Sequence, residues 1–207
     1  MIALLLLLAQ AAPGDTLHVR RVDSIPDAAD SARIGPPAVV IRTGQGLASI
    51  WLLRLRDTVQ IFAAIPDTTY YWGDDFVISL DLGGDRGAAP EHGDFQWYFR
   101  RMPDSSVVYR GRSGRWEPPR ADPDWRLGAT RSGAGWSMTT GSSGAGWWVR
   151  LRLDPGWLAG ADGKRPAIAF RIYDDAPAGR YAWPEPRGGA QATSVERTPS
   201  AWVPLGP

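Results

Sequence analysis

Asp94-Phe95-Gln96-Trp97-Tyr98-Phe99-Arg100-Arg101 decides the fold class. Phe95, Trp97 and Phe99 fall on one side of a period-two alternation, and Gln96, Tyr98 and Arg100 on the other, which is how a strand with one face on a core is built. The same pattern recurs outward along the chain. Thr58 to Ile65 sets Val59, Ile61, Ala63 and Ile65 against Gln60, Phe62 and Ala64. Asp75 to Asp81 sets Phe76, Ile78 and Leu80 against Val77 and Ser79, and Trp147 to Leu153 sets Trp147, Val149, Leu151 and Leu153 against Trp148, Arg150 and Arg152. Ala167 to Tyr173 separates Ile168, Phe170 and Ile172 from Ala169, Arg171 and Tyr173. Ala38 to Arg42, Leu47 to Leu55, Ser106 to Tyr109, Arg126 to Thr130 and Trp136 to Thr139 are further strand candidates. Gly and Pro turns at 44–46, 66–67, 83–84, 111–114, 133–135, 141–146 and 162–163 separate the strands. Only Asp154 to Ala159 reads as a helical turn, with Pro155 early in it. The expectation is an all-β, antiparallel β-sandwich of jelly-roll type.

Composition narrows the class. The 207 residues carry 23 Lys+Arg against 22 Asp+Glu, a net charge of +1 that offers no basic field for nucleic acid. The absence of cysteine excludes disulfides, thiolate metal sites and a lipidated N-terminal Cys. Ile2 to Leu8 is an apolar run followed by Ala9-Gln10-Ala11, a small-x-small pattern, so residues 1–12 read as a secretory signal peptide, with a buried strand as the alternative. The run is far shorter than the roughly 20 apolar residues of a membrane span, and no later segment approaches that length. Residues 13–207 are expected to form one domain in a secreted or periplasmic protein, with the core over about 38–183 and a Pro- and Gly-rich surface segment over 184–207 in which Ala201 to Val203 is a candidate last strand.

The chemistry-bearing residues are few. His18 and His92 are far apart and beside expected loops, and no G-x-S-x-G, H-E-x-x-H, P-loop or dinucleotide fingerprint occurs. Catalysis has no constellation to rest on, although a carboxylate pair acting on polysaccharide is open as an alternative. Acidic residues gather at strand ends, and Asp74, Asp81 and Asp85 are the candidates for a calcium site, because Ca²⁺ takes oxygen ligands; turn and cap chemistry is the competing reading of each. Among the tryptophans, Trp97, Trp147 and Trp157 follow the apolar register and belong to the core. Trp72, in Tyr70-Tyr71-Trp72-Gly73, and Trp183, in Tyr181-Ala182-Trp183-Pro184 after a turn at Asp174-Asp175, read as loop rings suited to the apolar faces of a sugar, with Gln96, Tyr98 and Arg100 as hydrogen-bonding partners. Plug residues under loops are the alternative for both.

Three segments in order resemble the family 9 carbohydrate-binding modules of secreted bacterial proteins: Trp72 to Asp81, Gly146-Trp147-Trp148 to Leu158, and Ala167 to Asp175. The resemblance implies a β-sandwich, calcium as a structural aid, and two tryptophans that hold a terminal sugar, which Trp72 and Trp183 match by position. Where binding members carry Glu, this chain has Val77 and Arg150, and their Ile-Pro is Leu153-Asp154. The expected function is therefore a non-catalytic saccharide-binding module. The alternatives are an envelope structural or assembly protein that keeps the sandwich without the sugar site, and a haem-binding relative using Met102 or Met138 with His92.

Overall fold

The computed structural model describes residues 16–25, 33–71, 73–101, 106–118, 130–133, 135–158, 164–186 and 191–206. The proposed signal peptide, Trp72, Met102 and the centre of the Gly- and Arg-rich 112–146 region lie outside them. The strands are β1 (Leu17–His18), β2 (Arg20–Arg21), β3 (Val39–Arg42), β4 (Leu47–Leu55), β5 (Thr58–Pro66), β6 (Asp75–Asp81), β7 (Asp94–Arg100) and β8 (Val107–Arg112). They continue as β9 (Arg115–Glu117), β10 (Thr130–Gly133), β11 (Trp136–Ser143), β12 (Gly146–Leu153), β13 (Ala167–Asp175), β14 (Ala178–Trp183) and β15 (Val203–Gly206). The only α-helix among the described residues is α1 (Ala192–Val195), beside short 3-10 turns at Pro155–Leu158 and Pro199–Ala201. None is long and apolar enough to cross a membrane.

Two sheets face each other. The first runs β1-β15-β13-β6-β7-β8-β9, with β14 also on β13, and the second runs β10-β11-β12-β5-β4-β2, with β3 also on β4. Pairing is antiparallel except β1 with β15 and β2 with β4, both made by the N-terminal segment. Each alternation read from the sequence closes the same core: Phe76, Ile78, Trp97, Phe99, Ile168 and Phe170 from the first sheet meet Ile50, Ile61, Trp147, Val149 and Leu151 from the second. Burial of these rings and branched chains, at roughly 1.5–3 kcal/mol per side chain, holds the two layers together.

Four features differ from the expectation. Positions 141–146 are not all turn: β11 runs on to Ser143 and β12 begins at Gly146, because Gly141 makes room for the Trp148 ring, which would lie 2.5 Å from any Cβ there. Asp174-Asp175 closes β13 rather than a turn, and a hairpin returns as β14. The C-terminal segment is not a surface tail, for Val195 and Trp202 are buried against Ala167, Ala169 and Ala182 on the outer side of the first sheet, and β15 pairs with both β13 and β1. Finally, Phe62 on the mixed side of β5 is buried, because Val22, Ile25 and Ile34 of the N-terminal segment cover it with Trp51 and Leu53.

Candidate functional site

The outer side of the first sheet carries a polar lattice dictated by the register. Tyr173 on β13 stands opposite Asp75 on β6, which stands opposite Arg100 on β7, while Arg180 on β14 stands opposite Tyr173. One row further along, Arg171, Val77 and Tyr98 line up across the same strands. The Tyr98 hydroxyl donates to Asp75 Oδ2, and Arg171 pairs with Asp75 Oδ1 at 2.8 Å and with Glu196. The Tyr98 ring lies between two guanidiniums, Arg100 at 4.8 Å and Arg171 at 5.5 Å, and Arg180 stacks on Tyr173 at 4.9 Å. Burial pushes the Asp75 carboxyl up, against the pull of Arg171 and the Tyr98 hydroxyl, and burial with the adjacent Asp75 charge pushes Tyr98 up to about 12.

The C-terminal segment divides this face in two. Glu196 reaches down to Arg171 and accepts from Gln96 Nε2 at 3.1 Å, and Trp202 and Trp116 stack beside it at 6.3 Å between ring centroids. The other half, toward the β5–β6 loop, leaves Tyr98, Arg100 and Tyr173 half-buried and Arg180 exposed. Tyr70 and Tyr71 in that loop are 60% and 46% exposed, and with Leu47 they are the large exposed apolar side chains among the described residues.

Behind the loop lies a buried ionic knot. Asp67, Asp74 and Asp174 bring carboxylate oxygens within 4.8 Å of one another. Arg101 enters the group, 2.6 Å from Asp67 Oδ2 and 3.6 Å from Asp74 Oδ2, and also donates to the carbonyls of Thr69 and Asp67. Backbone N–H groups of Thr69, Tyr71, Asp175 and Ala176 occupy further carboxylate oxygens. Burial, opposed by those N–H bonds, pushes Asp74 up to about 6 and raises Asp174 as well. The knot is organised around a guanidinium and backbone N–H donors, which occupy carboxylate oxygens that a calcium ion would need as ligands.

The expected calcium ligands do not converge. Asp74 precedes β6 and Asp81 ends it, so the length of that strand, about 20 Å at strand rise, lies between them and the two cannot share an ion. Asp81 accepts from the backbone N–H of Gly84 and Arg86 at 2.6 and 2.8 Å, and Asp85 from Gly87 at 3.2 Å, which is turn chemistry.

Of the expected sugar contacts, Tyr98 and Arg100 are on the uncovered half of the face. Gln96 is 3% exposed, its amide held by Glu196 and Ser79, which corrects its reading as an available partner. Trp183 is also corrected: it ends β14 with its ring inside the sandwich, 5% exposed and 5.8 Å from Phe170, not on a loop. Its odd spacing from Arg180 puts it on the core side of the strand. Asp75, Arg171, Tyr173 and Arg180 were missed, although the alternation of Ala167 to Tyr173 already set Arg171 and Tyr173 on the side away from the core. Met138 is 2% exposed in the core and His92 is exposed in its loop, so the two do not face one another as axial ligands.

Two solved structures are similar to this one over almost the whole chain. Both are family 9 carbohydrate-binding modules from Caldicellulosiruptor kristjanssonii, one in complex with glucose and one with cellotriose. The first superposes with a TM-score of 0.54 over 93% of this chain and 96% of that one, and the second with 0.55 over 92% of each, both at 14% identity. The chain has the fold of a family 9 carbohydrate-binding module. The sequence matches no protein-family model, and no curated protein is significantly similar to it.

Proposed function

We propose that this chain is a non-catalytic saccharide-binding module of an exported protein, with its site on the uncovered half of the first sheet's outer face. The observation that carries the reading is the row Arg180, Tyr173, Asp75 and Arg100 with Tyr98 beside it, next to a loop that holds Tyr70 and Tyr71 in solvent. Planar rings meet the C–H faces of a sugar, while guanidiniums and a carboxylate meet its hydroxyls. The two structural neighbours, whose ligands are glucose and cellotriose, support a β-glucan fragment as the first ligand to try. Trp72, between Tyr71 and Gly73 in the chain, is the residue we assign as the principal stacking ring. The role uses no metal and no reaction step. The apolar run at residues 2–8 supports export.

Affinity electrophoresis in gels containing soluble β-glucan tests this. Retardation of the wild-type protein is expected, reduced in Trp72→Ala and in Arg100→Ala; equal mobility of all three with and without the glucan would refute the reading. The second reading, an envelope scaffold that has kept the sandwich and lost the sugar site, is favoured by one observation: Trp183, one of the two expected clamp rings, is turned into the core.

A further inference from the structure

The outer face of the first sheet carries more aromatic surface than the proposed site uses. In the row beyond Arg171, Val77 and Tyr98, the strands set Ala169, Ser79, Gln96 and Tyr109 abreast. One row further, Trp116 on β9 stands opposite Gly111 on β8. Tyr173, Tyr98, Tyr109 and Trp116 are therefore each one row further along and one or two strands further over. They form an oblique line of rings that ends on β9, and all four are half-buried. The Tyr98 and Tyr109 rings meet edge to face with centroids 6.3 Å apart. Tyr109 and Gly111 project on the same side of β8, so Trp116 lies diagonal to Tyr109, at the roughly 7–8 Å usual for such neighbours.

The C-terminal segment borders this line. Glu196 reaches Arg171 and Gln96, and Val195 and Trp202 are buried against Ala167 and Ala169, so the segment lies toward β13. Trp116 forms its edge, donating its indole N–H to the Glu196 carbonyl at 3.0 Å and stacking on Trp202 with 2° between the ring planes. Tyr109 has no such duty. Among the described residues its phenol makes no hydrogen bond or ion pair, and its ring is fixed by the edge contact with Tyr98. A half-buried ring held by a neighbouring ring, with a hydroxyl left to donate and accept, is an amphipathic contact surface.

We propose that the saccharide site extends along this line, with Tyr109 as a further stacking ring and Trp116 as the last, and that its ligand is a chain of several sugar units lying obliquely across the sheet. The inference rests on the reading of the Tyr98 and Tyr173 face as the saccharide site. From β13 through β6, β7 and β8 to β9 the sheet spans about 19 Å at the usual strand spacing, which one sugar ring cannot cover. A glycan chain repeats apolar ring faces with hydroxyls between them, and a succession of rings with a phenol among them repeats the matching surface.

Amide-shift titrations of ¹⁵N-labelled protein with glucose and with cellohexaose read the extension directly. Cellohexaose is expected to move amides of Val107 to Gly111 and Arg115 to Glu117 as well as those around Tyr98 and Tyr173, and glucose only the latter. The ratio of cellohexaose to glucose affinity should fall about tenfold in Tyr109→Ala, the effect of losing one stacking contact, and hold in Tyr109→Phe, which keeps the ring. The wild-type shifts need no variant, so a folding defect in Tyr109→Ala leaves the test intact. Cellohexaose shifts that stop at β7, or an equal ratio in Tyr109→Ala and the wild type, overturn the extension and leave the site at Tyr98 and Tyr173 standing. Absence of shifts with either sugar overturns that site and the extension with it.

Discussion

Asp94 stands directly opposite Asp81 across the β6–β7 pair, and both are almost fully buried. Burial, with the nearby Asp81, Asp85 and Glu91 charges, pushes Asp94 up to about 7, although the Glu91 N–H bond favours its ionised form. A carboxyl raised above its unfolded value of roughly 3.9 holds its proton longer in the folded state, so stability is fullest below that value and falls as pH rises toward 7. Asp74, raised to about 6, acts in the same direction. Asp94→Asn should therefore be more stable than the wild type at pH 8, by on the order of 1–3 kcal/mol, and should flatten the pH profile between 4 and 8. Urea unfolding across that range checks it, and parallel profiles for the two proteins would contradict it. Trp183 and Gln96 have the residue types of a sugar site, but facing is set by the strand that holds each side chain and by what covers it. Trp183 sits on a strand the composition did not reveal, and Gln96 lies under a segment distant in the chain.

At the scale of elements, the β5–β6 loop and the β13–β14 hairpin meet through Arg101 and its three aspartates. The β3–β4 turn joins them through the Gln45 amide, which donates to the Ala176 carbonyl at 2.6 Å, and through the Tyr181 hydroxyl, which accepts from Gly44 N–H at 2.8 Å. Removing a buried guanidinium from such a group strands its carboxylates, so Arg101→Met should cost about 3–5 kcal/mol. Thermal unfolding with and without EDTA should coincide for the wild type, because Arg101 already supplies the positive charge; a fall in Tm on chelation would contradict the guanidinium-centred knot. Strand identity was legible here because period-two alternation of residue type survives in β5, β6, β7, β12 and β13. The two-residue strands β1 and β2 were not, since their pairing with β15 and β4 owes nothing to local periodicity. Nor was β14, where Gly179 and Arg180 interrupt the apolar pattern and the pairing with β13 fixes the strand.

At the scale of the molecule, the C-terminal segment sets how much of the first sheet's outer face is open. Trp202 is fully buried, donates its indole N–H to the Val195 carbonyl at 2.6 Å and stacks on Trp116. Trp202→Ala should destabilise the fold by about 3–5 kcal/mol, the range for deleting a buried large ring. It should also loosen Glu196 from Arg171, which hydrogen exchange at residues 194–196 would report; unchanged protection there would mean that the strap is held by other contacts. If residues 1–12 are a signal peptide, the mature protein recovered from an exporting host should begin near Ala12 or Pro13, which N-terminal sequencing reads directly.

The proposed saccharide site spans the adjacent strands β14, β13, β6 and β7 below the tyrosine loop. Titration of ¹⁵N-labelled protein with cellotriose, followed by amide shifts, tests it most directly. Saturable shifts centred on Asp75, Tyr98, Arg100, Tyr173 and Arg180 are expected, and are expected to be lost in Tyr173→Ala. Absence of shifts at millimolar cellotriose, or shifts that leave these residues untouched, would contradict it.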